Sequence, residues 1–217
     1  MYKQCIYIEV KNMDSISYIT CTHNKKIFQK CLFQSLILKD DDELIVIENA
    51  KSIAEGYNTG TDQAKNKIKC FIHHDLIVTN PILLRMNLIA YCVEEIGMVG
   101  IIGSQTDAAP WWEGQCVGSV VDSRNGILYF NDGKEFCLHL DGLMLATYQD
   151  VRFDESIPGF HLYDQDICKQ MEKQNKRNFC VKDGYRMITH FTNGPMDISQ
   201  INGYAEAMEI YKQKWAS

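Results

Sequence analysis

The run Lys69-Cys70-Phe71-Ile72-His73-His74-Asp75 passes from apolar residues into two imidazoles and a carboxylate. Bringing that set to the end of a buried strand costs desolvation unless the polar groups are paired. One partner is a divalent cation. A carboxylate oxygen and a neutral imidazole both ligate Mn2+ or Mg2+, whose other positions water and diphosphate oxygens can fill. The alternative is local, a turn in which the histidines cap and hydrogen-bond nearby backbone. Further on, FDESIPGFHLYDQD places Asp154, Glu155, Asp164 and Asp166 around a helix start. The helix dipole and free N–H groups favour carboxylates there without any function. One that faced a cleft could instead take a proton from a nucleophilic hydroxyl. Trp111-Trp112, in a Gly-rich stretch, offers flat faces for stacking on a sugar ring or a hydrophobic anchor for the loop.

These residues act together only if separate segments bring them to one place. Short, nearly continuous apolar runs at 16–22, 43–48, 68–72 and 98–102 predict buried strands, and helical spacing at 24–36, 52–65 and 80–93 predicts the helices between them. That alternation implies an α/β fold with a doubly wound, mostly parallel sheet covered on both faces. Between 104 and 134 it stops. There Asn125-Gly126 and Asp132-Gly133 separate apolar runs and predict a small antiparallel β meander over 117–140. A strand at 142–147, a helix at 162–174, a strand at 179–188 and a helix at 202–215 complete the expectation of one domain, 1–217, with a loop and β-hairpin insertion at about 104–140. Ligands of open α/β sheets bind beyond the carboxyl ends of the strands. Those ends carry Thr22-His23-Asn24, Glu48-Asn49, His73-His74-Asp75, Gly103-Ser104 and His190.

Composition narrows the function classes. The 217 residues are 46% hydrophobic, and 22 Lys+Arg against 28 Asp+Glu give a net charge of -6 with no basic block, so no nucleic acid partner is expected. An anionic substrate must be held by local groups. Nine cysteines, an odd number with no C-x-x-C pair, point to a reduced, cytoplasmic chain. The opening MYKQCIYIEV lacks an apolar leader core, and no stretch approaches the roughly 18 apolar residues of a transmembrane segment. No G-x-G-x-x-G follows an expected strand, against a Rossmann dehydrogenase. No Gly-rich basic loop follows the first one, against a nucleotidylyltransferase.

With those residues in place, the run EGYNTGTDQAKNKIKCFIHHDLIV, then GIIGS, WW, LDG, FDE-x-x-x-GFHLYDQD and a late His before KW resembles the glycosyltransferase family 2 group, in its compact glycosyltransferase-like branch, over about residues 15–215. The resemblance implies a glycosyltransferase A fold. It also implies transfer of a sugar from a nucleoside-diphosphate sugar to a glycan or other hydroxyl acceptor, with inversion and a divalent cation, Mn2+ or Mg2+. In that group a strand-end Asp-x-Asp binds metal and diphosphate. His73-x-Asp75 stands there, with His for the first Asp. A later acidic pair contains the catalytic base. Tyr163-Asp164 stands there, leaving Asp164 as the base. By the same resemblance His190 approaches the metal or β-phosphate. Thr22, His23, Asn24, Glu48, Tyr57, Asn58 and His74 surround the nucleotide, and Trp111, Trp112, Asp141, Gly142, His161 and Asp166 lie near the transferred sugar or acceptor. The two departures keep a second expectation open, a catalytically silent module on the same fold that binds a nucleotide-sugar or glycan.

Overall fold

The computed structural model describes residues 15–131, 135–191 and 203–216. Along the chain, β1 (Ile16–Thr22) leads into α1 (Lys25–Phe28), which continues as a π-helical turn over Gln29–Phe33. Then come β2 (Glu43–Glu48), α2 (Ile53–Gln63), β3 (Ile68–Ile72), β4 (Leu76–Val78) and α3 (Pro81–Tyr91). The middle of the chain supplies β5 (Ile96–Gly100), β6 (Ile102–Ser104), a 3-10 turn (Trp111–Glu113), β7 (Cys116–Asp122) and β8 (Gly126–Tyr129). It is followed by β9 (Glu135–Cys137), β10 (His139–Leu140), β11 (Met144–Thr147) and α4 (Tyr163–Lys173). The last elements are β12 (Arg177–Cys180), α5 (Gly184–Met187), β13 (Ile188–His190) and α6 (Tyr204–Trp215). Among the described residues no helix is long and apolar enough to cross a membrane.

Seven strands form one sheet in the order β2-β1-β3-β11-β5-β12-β9. Its β2-β1-β3 part is parallel, as expected for strands joined by helical crossovers. Every residue of β1 is buried, which fits a central strand with both faces covered. Alternation divides its side chains: Ile16 and Tyr18 join one core cluster with Ile68, Cys70 and Ile72, while Ile19 and Cys21 join another with Tyr57 and Phe71. Helix starts follow their signals. Ser52 caps α2 by accepting from Glu55 N, and Asn80 caps α3 ahead of Pro81.

Several expectations change. The strand at 142–147 is β11, and it runs antiparallel between β3 and β5, so the sheet is mixed. The strand at 98–102 is two: the chain leaves the large sheet at Ile101 and enters a second sheet, β10-β6-β7-β13-β4, with β8 on β7. Gly118 makes that crossing possible, because it lies against the Ile101 carbonyl at a φ of +86°, where a Cβ has neither space nor a favourable backbone. The Asn125-Gly126 turn forms and joins β7 to β8, but β9 pairs with β12 in the large sheet, so 117–140 is not a meander. The turn at Asp132-Gly133 lies outside the described residues. The strand at 179–188 resolves into β12, α5 and β13, and β4 forms between the strand at 68–72 and the helix at 80–93, where no element was assigned. The two short strands matter most for the site, because antiparallel pairing of β13 with β4 sets His190 opposite Leu76.

Candidate active site

His73 and Asp75 follow β3, and the main chain fixes both. His73 N donates to Leu143 O at 3.0 Å, and Phe191 N donates to Asp75 O at 2.9 Å. The ligand atoms of His73, Asp75 and His190 thereby come within 4.8 Å of one another. His190 Nε2 is 3.5 Å from Asp75 Oδ2, and His73 Nδ1 is 4.0 Å from Asp75 Oδ1. Asp75 Oδ1 is buried and has no hydrogen-bond partner. A carboxylate with one unmet oxygen, each of its oxygens near one imidazole nitrogen, is a suitable donor set for a divalent cation. Each imidazole is also braced from behind, as ligating histidines are. His73 Nε2 lies 2.7 Å from the Tyr163 hydroxyl, and His190 Nδ1 lies 3.1 Å from Asp122 Oδ2. Asp122 is held in turn by the N–H groups of Arg124 and Asn125 at 2.9 and 3.1 Å. Burial lowers the pKa of His73. Burial works the same way on His190, but the hydrogen bond and charge of Asp75 outweigh it and raise its pKa. Burial would raise Asp75, yet the His190 hydrogen bond and the neighbouring imidazoles bring it to about 2.

Beside this cluster opens a cavity of about 200 Å³, lined by the rim residues Cys21, Thr22, His23, Asn49, His74 and Asp75 and closed by Ala50, Ile53, His73 and Phe160. His74 Nδ1 meets Cys21 O at 3.1 Å, and the His23 ring stands edge-on to it at 5.0 Å. Thus Thr22, His23 and His74 reach the cavity as the strand-end argument requires. Asn24 and Glu48 are engaged elsewhere: the Asn24 side chain caps α1 by accepting from Lys26 N and Ile27 N, and Glu48 pairs with Lys25 at 2.8 Å. Tyr57 and Asn58 do not line the cavity. Tyr57 is fully buried among the rings of Phe71, Phe153 and Tyr163. Asn58 ties α2 to the 153–155 segment, accepting from Phe153 N at 2.9 Å and donating to Phe153 O at 3.0 Å and Glu155 Oε1 at 2.8 Å.

Next to Tyr163 in the chain, in the first turn of α4, stands Asp164. Its Oδ2 accepts from Gly142 N and its Oδ1 from Gln165 N, each at 2.9 Å. Burial, reinforced by the negative charge of Asp141, pushes its carboxyl up to about 7. Asp141 accepts from the Trp111 indole at 3.1 Å and from Leu143 N at 2.8 Å. Trp111 is therefore an anchor, 6% exposed, whereas Trp112 is 43% exposed. His161 stands edge-on to Tyr204 at 5.5 Å, and burial lowers its pKa. Asp166 is engaged elsewhere: 1% exposed, it accepts from the Trp215 indole at 2.8 Å and pairs with Lys214 at 2.7 Å. Sequence reasoning missed Asp122 and the hydroxyl of Tyr163. Asp122 reads as a hairpin-turn residue and does serve as one; its contact with His190 needs the β7–β13 pairing.

Residues 17–213 match the profile of a family described as "Glycosyltransferase like family". No curated protein matches the sequence. Among solved structures, the mannosyltransferase PcManGT from Pyrobaculum calidifontis, in complex with GDP-Man and Mn2+, superimposes with a TM-score of 0.55 at 12% identity, covering 88% of this chain and 59% of its own. TarS 1-349 of S. aureus, in complex with UDP-GlcNAc, gives a TM-score of 0.57 at 12% identity, covering 86% of this chain and 61% of its own. The chain spans about three fifths of the length of these two proteins. Its fold is that of glycosyltransferase A structures.

Proposed function

The chain belongs to the glycosyltransferase-like family, and from that premise we propose that it transfers a sugar from a nucleoside-diphosphate sugar to a hydroxyl of a glycan or similar acceptor, inverting the anomeric carbon. One observation carries the reading. His73 is hydrogen-bonded to Tyr163, and Tyr163 and Asp164 each bond the backbone of Gly142, so one glycine joins a cation donor set to a carboxyl whose pKa lies near 7. His73, Asp75 and His190 fit a divalent cation, Mn2+ or Mg2+, which when bound supplies positive charge to the diphosphate leaving group. The cavity beside them, walled by Thr22, His23 and His74, receives the nucleotide. Asp164 accepts the proton of the acceptor hydroxyl as that oxygen attacks the anomeric carbon from the face opposite the diphosphate. A base with a pKa near the working pH is ionised often enough and basic enough to do so. The exposed face of Trp112 and the His161 edge border the acceptor. Free cysteines, most of them buried, suit a reducing compartment, and we place the enzyme in the cytoplasm.

The test is a thermal-shift and turnover screen of UDP-, GDP-, CMP- and dTDP-sugars with and without Mn2+. The matching donor at a hundred times its dissociation constant should stabilise the protein by about 2.7 kcal/mol, and slow donor hydrolysis should accompany binding. Tight binding without turnover, even with acceptors present, identifies a silent binding module instead. Absence of both removes the nucleotide-sugar reading.

A further inference from the structure

Tyr163 is buried, 4% exposed, with its ring packed against Tyr57 and Phe153. Its hydroxyl makes hydrogen bonds with Gly142 O at 3.1 Å and His73 Nε2 at 2.7 Å. A carbonyl only accepts, and a phenol has one proton to give. With both bonds made, that proton goes to Gly142 O and the His73 Nε2–H donates to the phenol oxygen. Neutral His73 then carries its lone pair on Nδ1, the nitrogen that faces Asp75. At His190 the roles of the nitrogens are reversed: Nδ1 faces Asp122 and Nε2 faces Asp75.

We propose that Tyr163 is a positioning residue that selects the Nε2–H tautomer of His73 and so presents Nδ1 to a divalent cation held with Asp75 and His190. This rests on the cation reading given above. The same residue registers the base. Tyr163 grips the carbonyl of Gly142 while Asp164 grips its N–H, so the cation ligand and the base are both referred to the two peptide units that flank one glycine Cα. Gly142 has no room for a side chain, because a Cβ there would run into the Tyr163 hydroxyl and ring. Gly142→Ala therefore displaces the hydroxyl without touching Tyr163 itself.

Two measurements test the role. Histidine 15N NMR of the cation-free wild type should show His73 with Nε2 protonated and Nδ1 bare; the opposite tautomer overturns the proposal, and this readout needs no variant. Calorimetric titration with Mn2+ alone should show affinity falling about 10- to 100-fold in Tyr163→Phe, which keeps the ring packing, and falling in the same direction in Gly142→Ala. Wild type that binds Mn2+ while both variants bind it equally well overturns the role of Tyr163 alone. Wild type that does not bind Mn2+ overturns the underlying cation reading.

Discussion

Asp164 sits where two effects oppose each other, since burial and the charge of Asp141 make its ionisation unfavourable while the proposed chemistry requires the carboxylate. With a carboxyl near 7, kcat/KM should rise with pH through about 7 and level off above it. Asp164→Asn should keep donor binding and lower transfer by about two to four orders of magnitude; full transfer in that variant would remove Asp164 as the base. Stability carries the same signature with the opposite sign. A carboxyl whose folded pKa is raised favours the fold most below its unfolded value near 4, and that contribution is lost as pH climbs to about 7. The melting temperature of Asp164→Asn relative to wild type should therefore improve from pH 5 to pH 8. Asp75→Ala should weaken nucleotide-diphosphate binding in Mn2+ far more than in EDTA, whereas equal losses would mark Asp75 as structural. Asp75 and Asp164 stand out as candidates in the sequence because each belongs to a local run of chemically distinctive residues. Tyr57 and Asn58, which the resemblance sets near the nucleotide, pack instead against Phe153 and its backbone in this structure, because a motif position on α2 does not say whether a side chain meets the core or the cavity.

At the scale of elements, the crossovers β1 to β2 to β3 were readable from apolar runs of five to seven residues separated by capped helices. The direction of β11 was not. A strand buried on both faces carries the same pattern whichever way it runs, and a short segment gives its crossover no diagnostic length. Strands β4 and β13, of three residues each, are too short to show a period, yet they deliver His190. The 3-10 turn shows how one element divides a residue pair. Trp111→Ala should cost about 3–5 kcal/mol, the usual result of emptying a buried Trp site, while Trp112→Ala should leave the melting temperature almost unchanged and raise the acceptor KM. Equal destabilisation by the two changes would refute that division.

Across the whole molecule, α6 is fastened to α4 through Lys214, which pairs with Asp154 at 2.5 Å and Asp166 at 2.7 Å, and through the Trp215 indole on Asp166. The same helix carries Tyr204 to His161, at the edge of the proposed acceptor side. Lys214→Met would leave the Asp166 carboxylate, 1% exposed, without its cation. The expected loss is about 1.5–3 kcal/mol, the range for hydrogen bonds to charged groups, or roughly 3–12 °C in melting temperature for a chain of this size. A melting temperature within a degree of wild type would show the fastening to be superficial. That contact also orders events in time. Trp215 lies 49 residues after Asp166 in the sequence, so α4 can coil from local interactions long before the partner of its buried carboxylate has docked. Closure of α6 should be a late step of refolding, with Trp215 fluorescence lagging the appearance of strand and helix signals, and during synthesis α4 leaves the ribosome well ahead of the lysine that neutralises it.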